Sequence, residues 1–104
     1  MQMLKLADDL MPLVQDGSKR VTVRAGRREI VEGPLTLEAT NGSVAPIEVL
    51  VTRVDICSIR DLMPWAIEGE GLESRFELLE VMWRFYPDIK FDSEVTAIEF
   101  EIAA

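Results

Sequence analysis

Ile47-Glu48-Val49-Leu50-Val51-Thr52-Arg53-Val54 and, further along, Val95-Thr96-Ala97-Ile98-Glu99-Phe100-Glu101-Ile102 are the stretches on which the fold turns. Both are apolar-rich or alternate apolar with polar residues, and both favour β-branched side chains, which suit a pleated, half-buried surface. Runs of this length predict central strands of a closed or nearly closed sheet. Working outward, further strands are expected at Arg20–Arg24, Glu29–Val31 and Leu35–Ala39, with the two central strands spanning Pro46–Val54 and Glu94–Ile102. Asn41-Gly42 supplies a strong turn signal between two of them.

Helices are expected to cover this sheet. Asp8 to Gly17 predicts a short helix in which Asp8 or Asp9 caps the free amides, Pro12 falls in the first turn and Gly17 provides the left-handed stop. Leu10, Leu13 and Val14 recur at helical spacing and form its buried stripe. Ser74-Arg75-Phe76-Glu77 is a capping box that opens a helix running to about Phe85, which Tyr86-Pro87-Asp88 ends. Phe76, Leu79, Met82, Trp83 and Tyr86 make its broad apolar face, read as core packing. Ile59 to Leu62 predicts a helical turn before Pro64, with Ser58 as its cap. No repeat or low-complexity linker interrupts the chain, so residues 1–104 predict one α+β domain, a small β-barrel with flanking helices over its openings.

Composition narrows the chemistry. With 104 residues, 48% of them apolar, the chain can bury a single core without disulfides. Nothing in Met1 to Asp9 resembles the apolar stretch of a signal peptide, and no run approaches the ~20 apolar residues needed to span a bilayer, so a cytoplasmic protein with no membrane partner is expected. Cys57 is the single cysteine and histidine is absent, which removes Ser-His-Asp and Cys-His mechanisms along with the common zinc sites. No metal and no cofactor is expected. Acid–base and nucleophilic work falls to Lys, Asp, Glu, Tyr or a hydroxyl.

Net charge is −8, a balance that repels long polyanions, yet five of the eleven basic residues lie between Lys19 and Arg28. Within that segment Gly17-Ser18-Lys19-Arg20-Val21-Thr22-Val23-Arg24 places an ammonium, a hydroxyl and guanidinium groups at a helix-to-strand junction. Alternation turns Val21 and Val23 to the core and Thr22 and Arg24 to the other face. Lys19, three positions before Thr22, would lie on the opposite face of a regular strand, so a turn or bulge at Ser18-Lys19 is needed to aim its amine toward Thr22. Some fifty positions later Glu68-Gly69-Glu70-Gly71-Leu72-Glu73-Ser74 supplies carboxylates just ahead of a helix.

The order of these features resembles the ASCH domain family, whose fold is similar to the PUA domain. The likeness spans nearly the whole chain: Leu4-Lys5-Leu6-Ala7-Asp8-Asp9-Leu10, the Gly-x-Lys-x-x-Thr-x-Arg pattern of residues 17–24, Glu70-Gly71-Leu72-Glu73-Ser74, the aromatic helix and the closing Ala97-Ile98-Glu99-Phe100. Within that family the arrangement looks like the YqfB-type amidohydrolases, which remove the acetyl group from N4-acetylcytidine and related N4-acylated cytosines. The Gly-Asp that commonly follows the first strand there is missing here, and Ala25 to Val44 differs. The resemblance implies catalytic roles for Lys19, Thr22 and Glu70, substrate binding by Arg24 and Arg20, and a nucleoside or base as the small-molecule partner of a monomer or dimer. An RNA-binding or ribonuclease module is the alternative it implies.

Amide hydrolysis asks for a nucleophile, a base, an oxyanion donor and an acid for the leaving amine. On this reading Thr22 attacks the acyl carbonyl, Lys19 takes its proton and Glu70 handles protons at the cytosine amine. In a variant, Lys19 or Glu70 activates water directly and Thr22 orients the substrate.

Overall fold

The computed structural model describes residues 1–103. Five strands form one sheet: β1 (Gln2–Leu6), β2 (Val21–Ala25), β3 (Gly33–Ala39), β4 (Ile47–Ser58) and β5 (Glu94–Ile102). Their spatial order is β1-β3-β4-β5-β2, with β1 and β3 parallel and every other pair antiparallel. The long alternating runs do lie inside the sheet, as β4 and β5, and β1 and β2 form its two edges. Although four strands' width separates those edges in the order, the Arg24 guanidinium of β2 donates to the Lys5 carbonyl of β1 at 2.7 Å. The sheet therefore curls until its edges nearly meet, leaving a seam between β1 and β2 bridged by a side chain.

Two apolar clusters occupy the two faces of this sheet. Inside the curl lie Leu4, Leu6, Leu35, Leu37, Val49, Val51, Ile98 and Phe100, plugged by Met11 and Val14 of α1 (Met11–Gln15). On the outer face, Val21, Val23, Val95 and Ala97 pack beneath α2 (Pro64–Gly69) and α3 (Arg75–Trp83). Successive residues of β5 feed the two clusters in turn, as a pleat requires. In β4 one inserted residue, Thr52, shifts the register so that Val51 faces Phe100 and Arg53 faces Glu99. Because side chains alternate with period two, that bulge sends Val54 inward and turns Arg53 out, where it pairs with Glu99 at 3.3 Å and lies over the Trp65 ring.

Several expectations shift in detail. Glu29–Val31 forms no strand; instead the Gln2 side-chain amide receives the Val31 N–H at 2.8 Å and donates to the Val31 carbonyl at 2.9 Å, doing for this loop what a strand would. The first helix begins as a 3-10 turn (Asp8–Leu10), and neither aspartate caps it. Asp8 accepts from the Asn41 and Ser43 amides and the Ser43 hydroxyl, tethering the β3–β4 turn, while Asp9 pairs with Arg84. Ser58 caps its short turn and Ser74 caps α3, as read from sequence. Pro64 opens α2 rather than merely ending the turn before it. On α3 the buried side chains are Leu78, Leu79 and Met82, whereas Phe76 and Trp83 are largely exposed. Among the described residues no helix is long and apolar enough to cross a membrane.

Candidate active site

The site is built on the free edge of β2. Antiparallel pairing with β5 consumes the main-chain groups on one side of that strand, as in the bond from the Phe100 amide to the Arg20 carbonyl. The Val21 carbonyl and Val23 amide point the other way, into the seam, where no strand pairs with β2. Buried main-chain groups must find partners, and here two side chains supply them. The Lys19 ammonium donates to the Val21 carbonyl at 2.9 Å and to Glu70 Oε1, and Glu70 Oε2 accepts the Val23 amide at 2.9 Å. Lys19 and Glu70 thus form an ion pair, with side chains only 5% and 8% exposed, that takes the place of a missing strand.

Local sequence explains how both groups arrive there. Gly17 adopts φ +84°, stopping α1, and the following turn is braced by the Ser18 amide on Asp16 Oδ1 and the Lys19 amide on the Leu13 carbonyl. This is the turn needed to fold the Lys19 amine back along β2. Glu70 is delivered by an unusually close approach of α2 to β2. A Cβ on Gly69 would lie 2.2 Å from Val21 Cγ2, so a side chain there would clash, and the Gly69 carbonyl accepts from the Arg20 amide. Gly71, at φ +81°, then turns the chain away beside the Ser18 carbonyl. Glu68, the other carboxylate of the run, is exposed on α2.

Thr22 and Arg24 point inward from the same strand, Thr22 buried opposite Ile98 and Arg24 half-buried at the seam. Arg24 Nε donates to Thr22 Oγ1 at 3.0 Å while its terminal nitrogen bridges to β1. Burial pulls the Arg24 guanidinium below its ordinary value; the Tyr86 phenol opposes this, Arg28 adds to it and Glu70 opposes it again. A guanidinium stays charged through any such shift. Among the described residues no hydrogen bond joins Lys19 to Thr22; their side chains are neighbours on one cavity wall.

That cavity has a volume of about 620 Å³ and is lined by Lys19, Thr22, Arg24 and Glu70 together, within the ~300–1,000 Å³ common for small-ligand sites. Leu10 and Leu13 from the first helical segment, Val81 and Met82 from the end of α3, and Phe85 and Tyr86 just beyond it form apolar walls. Part of the helix face read from sequence as core packing is therefore cavity wall. Arg20 stands apart: its side chain is exposed and does not line the cavity. Among the described residues no three Asp, Glu or Cys side chains gather as a metal site requires.

No family model matches this chain, and no curated protein matches it in sequence. Solved structures do match. An Enterococcus faecalis protein of the DUF984 family superposes with a TM-score of 0.75 at 16% identity, covering 99% of this chain and 76% of that one. The ASCH domain from Lactobacillus crispatus gives 0.72 at 13% identity, covering 97% of this chain and 79% of its own. A mutant of the ASCH protein from Zymomonas mobilis gives 0.68 at 14% identity, covering 95% and 66%. The chain has the PUA-like α+β fold of ASCH domains.

Proposed function

We infer that this chain, with the fold of an ASCH domain and a cavity at its seam, is an amidohydrolase that removes the acyl group from N4-acetylcytidine or related N4-acylated cytosine bases and nucleosides. The observation that carries this reading is the presence of the Lys19–Glu70 ion pair and the Thr22 hydroxyl on one cavity whose walls are largely apolar. A proton passed within the ion pair from Lys19 to Glu70 leaves an amine and a carboxylic acid. The amine takes the Thr22 proton as Oγ1 bonds to the acyl carbon; the acid protonates the cytosine amine as the C–N bond breaks. The ion pair is then restored, and water repeats the cycle on the acyl-threonine.

The disposition of the basic residues supports a small substrate over a polymer. Lys19 is buried, Arg24 faces the cavity, Arg27 pairs with Glu94 at 3.3 Å and Arg28 donates to the Ala25 carbonyl. The cluster that would have been a stripe for phosphates is mostly occupied, in a chain of net charge −8.

Incubation with N4-acetylcytidine, followed by chromatography of released cytidine, tests the reading. Release is expected from the wild type and not from Lys19→Ala or Thr22→Ala. Wild-type release no greater than theirs overturns it. Mass spectrometry of an acid-quenched reaction should find one acetyl group on Thr22; activity with no such adduct would favour direct attack by water.

A further inference from the structure

Two of the cavity's walls rest on different cores. Leu10 and Leu13 belong to the segment whose Met11 and Val14 join the inner cluster, while Val81, Met82 and Phe85 come from α3 and the residues just beyond it, where Leu78 and Leu79 join the outer one. Among the described residues, a single ion pair supplies all the hydrogen bonds between residues 8–18 and residues 75–86. Asp9 and Arg84 meet there in a two-pronged contact, Nη1 donating to Oδ2 at 3.0 Å and Nη2 to Oδ1 at 2.9 Å. The adjoining Asp8 holds the β3–β4 turn instead, so neighbouring carboxylates fasten one segment to the sheet and to the end of α3. This pair stands at the cavity mouth: Leu13, Val81 and Phe85 line the cavity yet are 39%, 40% and 44% exposed, which marks where it meets solvent. Asp9 precedes Leu10 in the chain, and the Arg84 guanidinium carbon lies 4.8 Å from the centre of the Phe85 ring.

We propose that Asp9 and Arg84 are a positioning pair that sets the specificity of this site: clasped across the mouth, they fix its width and confine the cavity to N4-acylcytosines with small acyl groups. The substrate named here rests on the amidohydrolase reading, but the clasp itself does not. Neither side chain lines the cavity, so the pair acts through the walls it joins. A guanidinium and a carboxylate joined by two parallel bonds fix separation and orientation together. Both side chains are more than half exposed, so salt screens the pair and it adds little to folding. The interior, about 620 Å³, has more room than a cytosine with a two-carbon acyl group fills, so selection by size falls to the mouth. With the clasp broken, each wall follows its own core, the two can part, and a larger planar acyl group gains entry.

Initial rates on N4-benzoylcytosine and N4-acetylcytosine test the clasp. The ratio of kcat/KM, benzoyl over acetyl, should rise about tenfold or more in Arg84→Gln and in Asp9→Asn, through a lower KM for the benzoyl compound. Asp9→Arg combined with Arg84→Asp, which rebuilds the pair with its charges exchanged, should return the ratio to within about threefold of wild type. Sodium chloride at about 1 M should raise the wild-type ratio and leave that of Arg84→Gln where it stands. A merely structural role would lower both rates together and give neither the split nor the rescue. Without any turnover, methyl relaxation dispersion of the ligand-free protein, read at Leu13 and Val81, should show one shared opening motion whose open population grows about threefold or more in Arg84→Gln. A ratio unmoved in both single variants, or an open population unmoved by Arg84→Gln, overturns the proposal. A wild type that hydrolyses neither compound, while Arg84→Gln still enlarges the open population, would leave the clasp standing and remove the amidohydrolase reading.

Discussion

The two outer sides of the β5–β2 pair are finished in opposite ways. Along β5, pairing with β4 runs from Val49 opposite Ile102 to Ser58 opposite Glu94, so main chain satisfies main chain. Along the outer edge of β2, the Val21 carbonyl and the Val23 amide are met by an ammonium and a carboxylate. The difference is instructive: chemistry gathers where a strand is missing and ionisable side chains must stand in for it. Burial that is ordinary on the ladder side becomes, at the seam, the reason that Lys19 and Glu70 are held together away from water.

The largest expected effect is at that substitution of side chain for strand. Glu70→Ala leaves the buried Lys19 ammonium without its counter-charge and the Val23 amide without its acceptor, and should cost about 3–5 kcal/mol in urea unfolding. The paired change Lys19→Met with Glu70→Leu removes the unpaired charge but leaves the Val21 carbonyl and Val23 amide without side-chain partners, so it should recover only part of that stability while remaining inactive, which separates the cost of a buried charge from that of an unpaired strand edge. Recovery of activity along with stability would break the comparison. Next comes Gly69→Ala, whose methyl must displace Val21; a loss of about 1–3 kcal/mol is expected, together with a fall in activity as Glu70 is pushed off the β2 edge.

On the ladder side, Ile98→Val should cost about 0.5–1.5 kcal/mol and leave kcat unchanged, since Ile98 packs in the inner core and does not line the cavity. A kcat that falls in step with stability would show that the two sides of the pair are not independent. The smallest effect lies at the Asp8 carboxylate, which the Ser43 hydroxyl and the Asn41 amide hold below its ordinary value of 3.8. A lowered folded value means that its contribution is present above pH 3.8 and disappears as pH falls through the lower folded value. Asp8→Asn should therefore reduce Tm slightly at neutral pH, and the two melting curves should converge in acid.

How far all this was legible in the sequence follows from which interactions are local. The alternation of Ile47–Val54 and Glu94–Ile102 located two of the strands inside the sheet, and caps at Ser58 and Ser74 are decided within four residues of themselves. The Thr52 bulge was not legible, because it is a mismatch between two strands and each reads smoothly alone. Glu29–Val31 has strand-like residues but meets the Gln2 side chain, a partner that no local pattern announces. The face of α3 was misjudged at Phe76 and Trp83 because that helix serves both the outer core and the cavity, which blurs its periodicity. For the site, an ordered motif was enough to gather Lys19, Thr22 and Glu70. Their wiring was not: the bond from Arg24 to Thr22 and the bridge to Lys5 depend on the curl of the whole sheet, and Arg20, one residue outside β2, stays in solvent.

One bond described above makes the protein its own indicator. The Val23 amide hydrogen is held by a carboxylate rather than by a neighbouring strand, so its deuterium exchange reports on Glu70 directly and not on global unfolding. Any ligand that draws Glu70 away from its resting contact should hasten the isotope uptake of that single amide, while the amides shared by β4 and β5 keep their slow clock.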